Sequence, residues 1–303
     1  GSCLILGGTH ANELGGHMGA VLFVENAKVE AGTLYVIPRT NNSAFTHNDP
    51  QEGHPSTVHI TTDEGNVREF IHGSRATNPV DQWPDPDVYV NYMGQSLSGS
   101  ENRNINRTYP GKADGTLTEM MSYGIVQLIN TENIDVTVDL HEASPEYPVI
   151  NALIAHERAM NLASNVVVDM QMEGVQISLE PSPTDLRGLT HRELGDHTDT
   201  LALLMEAPNP AQGRLRDRTD EALVLTGKSE TYVKAGEIGQ LYVPYDENGW
   251  PIEVRCARHV FGIERILANY SEMYEEPIIV TGMPSYDELV KNGMGPYLNE
   301  PTT

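Results

Sequence analysis

Three apolar runs in this chain each stop at a residue able to bind a metal or carry a proton, and this constrains the fold most. CLILGG (residues 3–8) leads to His10, IDVTVDL (134–140) to His141, and TLALLM (200–205) to Glu206. Short apolar runs bounded by glycines or polar residues read as buried strands. Further strands are expected at Thr33–Ile37 and Tyr147–His156. A loop passing into a helix is expected over His10–Val24, where Leu14, Met18, Val21 and Leu22 have helical spacing. Other helices are expected over Thr118–Asn130, capped by Thr116 or Thr118, over Glu157–Met172, and over His259–Met273. Alternating strands and helices predict an α/β fold, a mixed, mostly parallel twisted sheet with helices on both faces. Ligands bind beyond the C-terminal strand ends of such sheets, so the three ends are expected to share one site.

The 303 residues suit one large domain. A catalytic domain is expected over residues 1–275 and a C-terminal accessory segment over 276–303. Residues 40–115, rich in Asn, Asp, Gly, Ser and Pro, read as a long functional loop region that Trp83, Tyr89 and Tyr92 keep ordered. Tyr232–Pro244 reads as a hairpin. A formal charge of −24 argues against nucleic-acid partners and against an anionic membrane surface. No apolar stretch approaches the roughly 18 residues of a membrane span. Cys3 and Cys256 have no metal-type spacing and imply no disulfide framework. The start lacks the basic region of a signal peptide, which favours the cytoplasm, while a trimmed N-terminus leaves export open.

His10 and Glu13 form HxxE within GGTHANE, and three residues apart on a helical turn they can face one cation. The same pair also reads as an acid beside a helix N-terminus. His141 stands in DLHEA, with Asp139 and Glu142 both available to orient it. In RNINRTYPG, Asn106 and Arg107 sit beside a Pro-Gly turn and offer a fork of donors for a carboxylate. Glu206 follows an apolar strand, where partial desolvation raises a carboxyl pKa towards general-base range. Its structural alternative is pairing with Arg214, Arg216 or Arg218.

GGTHANE, NINRTYPG, DLHEA and LLMEAPNP occur in an order that resembles the M14 zinc carboxypeptidase clan, most closely its succinylglutamate desuccinylase/aspartoacylase branch. The resemblance covers about residues 3–272. It implies one zinc ion on His10, Glu13 and His141, a substrate-carboxylate clamp of Asn106 and Arg107, and Glu206 as catalytic carboxylate. It also implies an arginine that steadies the oxyanion, for which Arg103 is the first candidate and Arg75 the second. Two features depart from it. The tyrosine that peptidase members carry before the catalytic glutamate is missing from residues 187–199. Arg187, His191, Arg192 and His197 stand there instead, a cationic loop that points to an anionic or polar acyl group. The β-rich C-terminal domain of the aspartoacylase branch is also not evident.

The expected activity is zinc-dependent hydrolysis of an amide bond in an N-acyl amino acid or a similar small carboxylate-bearing substrate. A carboxypeptidase acting on peptides or cell-wall peptides would use the same metal site. A non-catalytic binding protein that retains the fold is a third reading. GxSxG and P-loop motifs are absent. The sequence does not set the oligomeric state.

Overall fold

The computed structural model describes residues 1–49 and 53–301. In chain order the elements begin with β1 (Ser2–Leu6), α1 (Leu14–Asn26), β2 (Lys28–Ala31) and β3 (Thr33–Ile37). Short strands β4 (Thr57–Thr61), β5 (Val67–Ile71), β6 (Val88–Val90) and β7 (Ser96–Ser98) follow. Then come α2 (Leu117–Glu132), β8 (Val136–Ala143), β9 (Ala152–Ala155), α3 (Met160–Met172) and β10 (Ser178–Pro181). The chain continues through α4 (Thr190–His197), β11 (Leu201–Pro208), α5 (Glu221–Thr226), α6 (Glu230–Glu237), α7 (Ile252–Met273), β12 (Ile279–Thr281) and α8 (Tyr286–Asn292).

The central sheet has the order β10-β9-β11-β8-β1-β3. Every pairing in it is parallel except β9 with β11. The apolar runs supply β1, β8 and β11 at its centre, where both faces are covered. On one face Cys3, Ile5, Leu140, Leu203 and Met205 pack with residues of α1, α3 and α7. On the other, Leu4, Leu6 and Ala202 pack with Ile125, Val126 and Ile129 of α2 and Leu194 of α4. Alternating side-chain direction along a strand produces this division. α1 lies against β8 because Gly16 is bare, and a methyl group there would strike the Leu140 carbonyl. Thr116 caps α2 in a capping box with Glu119.

Several expectations change. β8 and β11 do not stop before His141 and Glu206 but run through them, to Ala143 and Pro208. Among its described residues, the region 40–115 contains two small hairpins, β4–β5 and β6–β7, with a 3-10 turn before the first and two after the second. Tyr232–Pro244 is not a hairpin. Ser229 caps α6 by accepting from the Tyr232 N–H, and Tyr232 and Ala235 face inward from one side of that helix. Helix α7 begins at Ile252, directly after Pro251, seven residues before the expected start at His259. The accessory segment 276–303, described to residue 301, is built into the body. β12 pairs with β2, and Ile278, Leu289, Met294 and Leu298 join the main core. Among the described residues, no helix is long and apolar enough to cross a membrane.

Candidate metal centre and active-site cavity

His10 lies in the turn after β1, and Glu13 is the N-cap of α1 rather than part of its first turn. His141 reaches them from β8. The Glu13 carboxylate bridges both imidazoles, with Oε1 2.6 Å from His10 Nδ1 and Oε2 2.8 Å from His141 Nδ1. One ligand atom from each residue lies within 4.8 Å of the others, and all three residues are buried. The outer nitrogens are also engaged. His10 Nε2 is 3.0 Å from Asn104 Oδ1, and His141 Nε2 is 2.9 Å from Asp139 Oδ2. Both of those oxygens only accept, so each Nε2 carries a proton, and each Nδ1 faces the Glu13 carboxylate at the centre. This is how histidine ligands are usually oriented.

The electrostatics agree with that donor set. Burial disfavours the charged forms here. Even so, Asp139 and Glu13 hold His141 well above its ordinary range, and the two imidazoles hold Glu13 well below its own. The buried carboxylates therefore require positive charge between them, and a divalent cation meets that requirement. The residues present fit a metal ion.

Glu206 is the direct register partner of His141 on the neighbouring parallel strand. Its Oε2 is buried with no hydrogen-bond partner among the described residues. Burial pushes its carboxyl up to about 8, opposed by His141. Of the arginines that follow it in the chain, Arg214 lines the same cavity.

The two acids near His141 divide the work. Asp139 holds its ring, and also accepts from Thr9 Oγ1 at 2.6 Å. Glu142 points to the opposite face of the sheet. It accepts from the Gly15 N–H at 2.9 Å, Asn209 Nδ2 at 2.9 Å and Arg255 at 2.7 Å. Its own N–H donates to Glu13 Oε2 at 3.0 Å, which ties the start of α1 to β8. Asn104, Asn209 and Arg255 were missed by sequence reasoning. Asn104 left a local signal, two residues before Asn106 in RNINR, and Asn209 another in LLMEAPNP.

Arg103 is not at the centre. Its guanidinium pairs with both oxygens of Asp85, at 2.7 and 2.9 Å, and donates to the Thr77 carbonyl at 2.8 Å. The arginine beside the cluster is Arg75, whose Nη1 is 3.3 Å from His10 Nδ1 and 3.5 Å from Glu13 Oε1. Asn106 and Arg107 both line the cavity. Asn106 Oδ1 accepts from the Thr190 N–H at 2.8 Å and its hydroxyl at 3.0 Å, which anchors α4. Arg107 donates to the Asn106 carbonyl at 2.7 Å.

The expected cationic loop is largely helix α4, and its arginines are neutralised. Arg187 pairs with Glu193 at 2.7 Å and Asp196 at 2.8 Å, and Arg192 with Glu157 and Asp196. His197 lies 3.3 Å from Glu193. Of the four, only His191 lines the cavity. Burial lowers its pKa to about 3, so it is neutral there, and its Nδ1 lies 2.7 Å from Ser182 Oγ.

The cavity holds about 670 Å³ and takes in His10, Glu13, His141, Glu206, Arg75 and Arg107. A second cavity of about 490 Å³ adjoins it and shares Arg75, Gln212 and Arg214.

No family model and no curated protein sequence matches this chain. Solved structures do. The apo cell shape determinant protein Csd4 from Helicobacter pylori aligns with a TM-score of 0.51 at 13% identity, over 95% of this chain and 54% of that one. The mDAP-bound form of Csd4, described as a D,L-carboxypeptidase, gives a TM-score of 0.51 at 13% identity, over 96% and 55%. A succinylglutamate desuccinylase from a Silicibacter species gives 0.48 at 15% identity, over 94% and 59%. The chain thus spans little more than half the length of these structures. What it shares with Csd4 is the fold, the mixed, mostly parallel α/β architecture of the zinc carboxypeptidase-like proteins.

Proposed function

We propose that this protein is a zinc-dependent hydrolase that cleaves the amide bond of an N-acyl amino acid or a similar small, carboxylate-bearing substrate. The observation that carries the reading is the convergence of His10, Glu13 and His141 beside Glu206, which no residue among those described engages at Oε2. A zinc ion bound there supplies Lewis acidity, polarising the substrate carbonyl and making water acidic enough to attack near neutral pH.

The chain's own groups supply the rest. Asn106 and Arg107 take the substrate carboxylate and fix the register of the amide. Glu206 accepts a proton from the attacking water and returns it to the leaving nitrogen. Arg75 donates to the oxygen on which negative charge develops, the role first expected of Arg103. His191, neutral and buried in the wall, is a hydrogen-bonding group without charge. The adjoining cavity past Arg75, Gln212 and Arg214 favours a second reading, a carboxypeptidase whose peptide chain extends into it.

Replacing Glu206 with Gln tests the base. Turnover of N-acetyl amino acids should vanish while zinc content stays at the parent level; normal turnover by the variant would rule out the assignment. A parallel screen of C-terminal peptides decides between the readings, and cleavage of peptides alone would exclude the deacylase.

A further inference from the structure

The floor of the cavity is one row across the sheet. Register partners run from Glu180 on β10 to Ile154 on β9, Leu204 on β11 and Asp139 on β8. Glu206 and His141 stand two residues farther along the same strands and so share that face. Helices α2 and α4 cover the face over Leu4, Leu6 and Ala202. Beyond them Ala152, Ile154 and Leu204 form a small separate cluster with Val149. An apolar strip therefore leads from Glu206 to Glu180. Strands β11 and β10 are two spacings apart, roughly 10 Å, and Glu206 stands two residues, roughly 7 Å, farther along, so the two positions lie roughly 12 Å apart, which leaves room for an extended side chain between them.

Glu180 is half-buried and lines the cavity, and among the described residues no hydrogen bond or ion pair engages its carboxylate. Another acid that lines the cavity, Glu146, is already held by the Tyr232 hydroxyl at 2.8 Å and the Arg214 N–H at 2.6 Å. Arg187 and Arg192 are turned to other acids. The far end of the strip thus presents one unsatisfied negative charge.

We propose that Glu180 selects a substrate whose carboxylate-bearing half ends in an amine on an apolar stem, as in an Nα-acyl lysine or ornithine. This deepens the hydrolase reading and rests on it for the placement of the α-carboxylate at Asn106 and Arg107. The methylenes lie on Leu204 and Ile154, and the ammonium meets Glu180. A neutral or acidic side chain at the same place leaves a desolvated carboxylate unpaired, or repels it.

Calorimetric binding of free L-lysine, L-norleucine and L-glutamate to the zinc-loaded protein tests the assignment without turnover. Lysine is expected to bind about tenfold or more tighter than norleucine, with glutamate weakest. Glu180→Gln should bring lysine and norleucine within about threefold, and Glu180→Lys should invert the order of lysine and glutamate. Zinc content and Tm of each variant check that the fold is intact. No lysine preference in the parent, or an unchanged one in Glu180→Gln, overturns the proposal. Hydrolysis of the matching Nα-acetyl amino acids separates the two readings. A lysine preference in binding with no hydrolysis of any of them sinks the deacylase and leaves Glu180 standing. Hydrolysis without a lysine preference does the reverse.

Discussion

Asp139 and His141, two residues apart on β8, point to the same face and are joined by a 2.9 Å hydrogen bond from Nε2 to Oδ2. The bond fixes the ring so that Nδ1 faces Glu13. Asp139→Asn keeps the shape but weakens the acceptor. Zinc affinity, measured by competition with a chelator, should fall about 10–100-fold, though no ligand has been removed. Unchanged affinity would mean that Asp139 does not orient the ligand.

Arg75 and Arg103 make opposite forecasts. Arg75→Met should lower kcat/KM by about 100–1,000-fold at constant zinc content, the usual loss for one donor to developing charge. Arg103→Met releases Asp85 and should show itself mainly in Tm. Equal losses of activity in the two variants would undo this distinction.

Arg255 and Glu142 form an ion pair in which neither side chain is exposed. Arg255→Met leaves the Glu142 carboxylate buried without its counter-charge. Urea unfolding should show a loss of about 3–5 kcal/mol, and adding Glu142→Gln should recover part of it. No loss in the single variant would indicate that water reaches Glu142.

Glu264 gives a pH signature. Burial pushes its carboxyl up to about 7 from the ordinary 4.5, with Arg265 opposing. Between those values the folded protein holds a proton that the unfolded chain has released. This contribution therefore lowers stability as pH rises through the window, and the penalty is complete above it. Glu264→Gln removes the penalty. The variant should exceed the parent at pH 8 by about 1 kcal/mol, or about 2 °C in Tm, after allowance for partial exposure, and match it near pH 4. A stability gain that persists at pH 4 would not come from this ionisation.

Much of this was legible in the sequence. Apolar runs announce β1, β8 and β11 because a central parallel strand must be apolar on both faces. His10, Glu13, His141 and Glu206 were visible because each adjoins or ends such a run. Arg255 was not, and Arg75 only as the second candidate after Arg103, because their placement depends on long-range packing that no local pattern encodes. Arg103 misled through its closeness in sequence to Asn106, whereas Asp85 claims it in space. The charges of residues 187–199 misled for a related reason. A loop read alone looks cationic, but its acids Glu193 and Asp196 and the distant Glu157 neutralise it. Tyr232–Pro244 carries apolar residues compatible with either period, and the Ser229 cap decided for a helix.

The Glu13 carboxylate is met by one imidazole three positions ahead of it and by another 128 positions behind. During synthesis, the first pair is made long before the second histidine exists. A nascent chain can offer only half a binding pocket until β8 has docked beside β1. Capture of a cation by all three residues together must then follow assembly of the sheet.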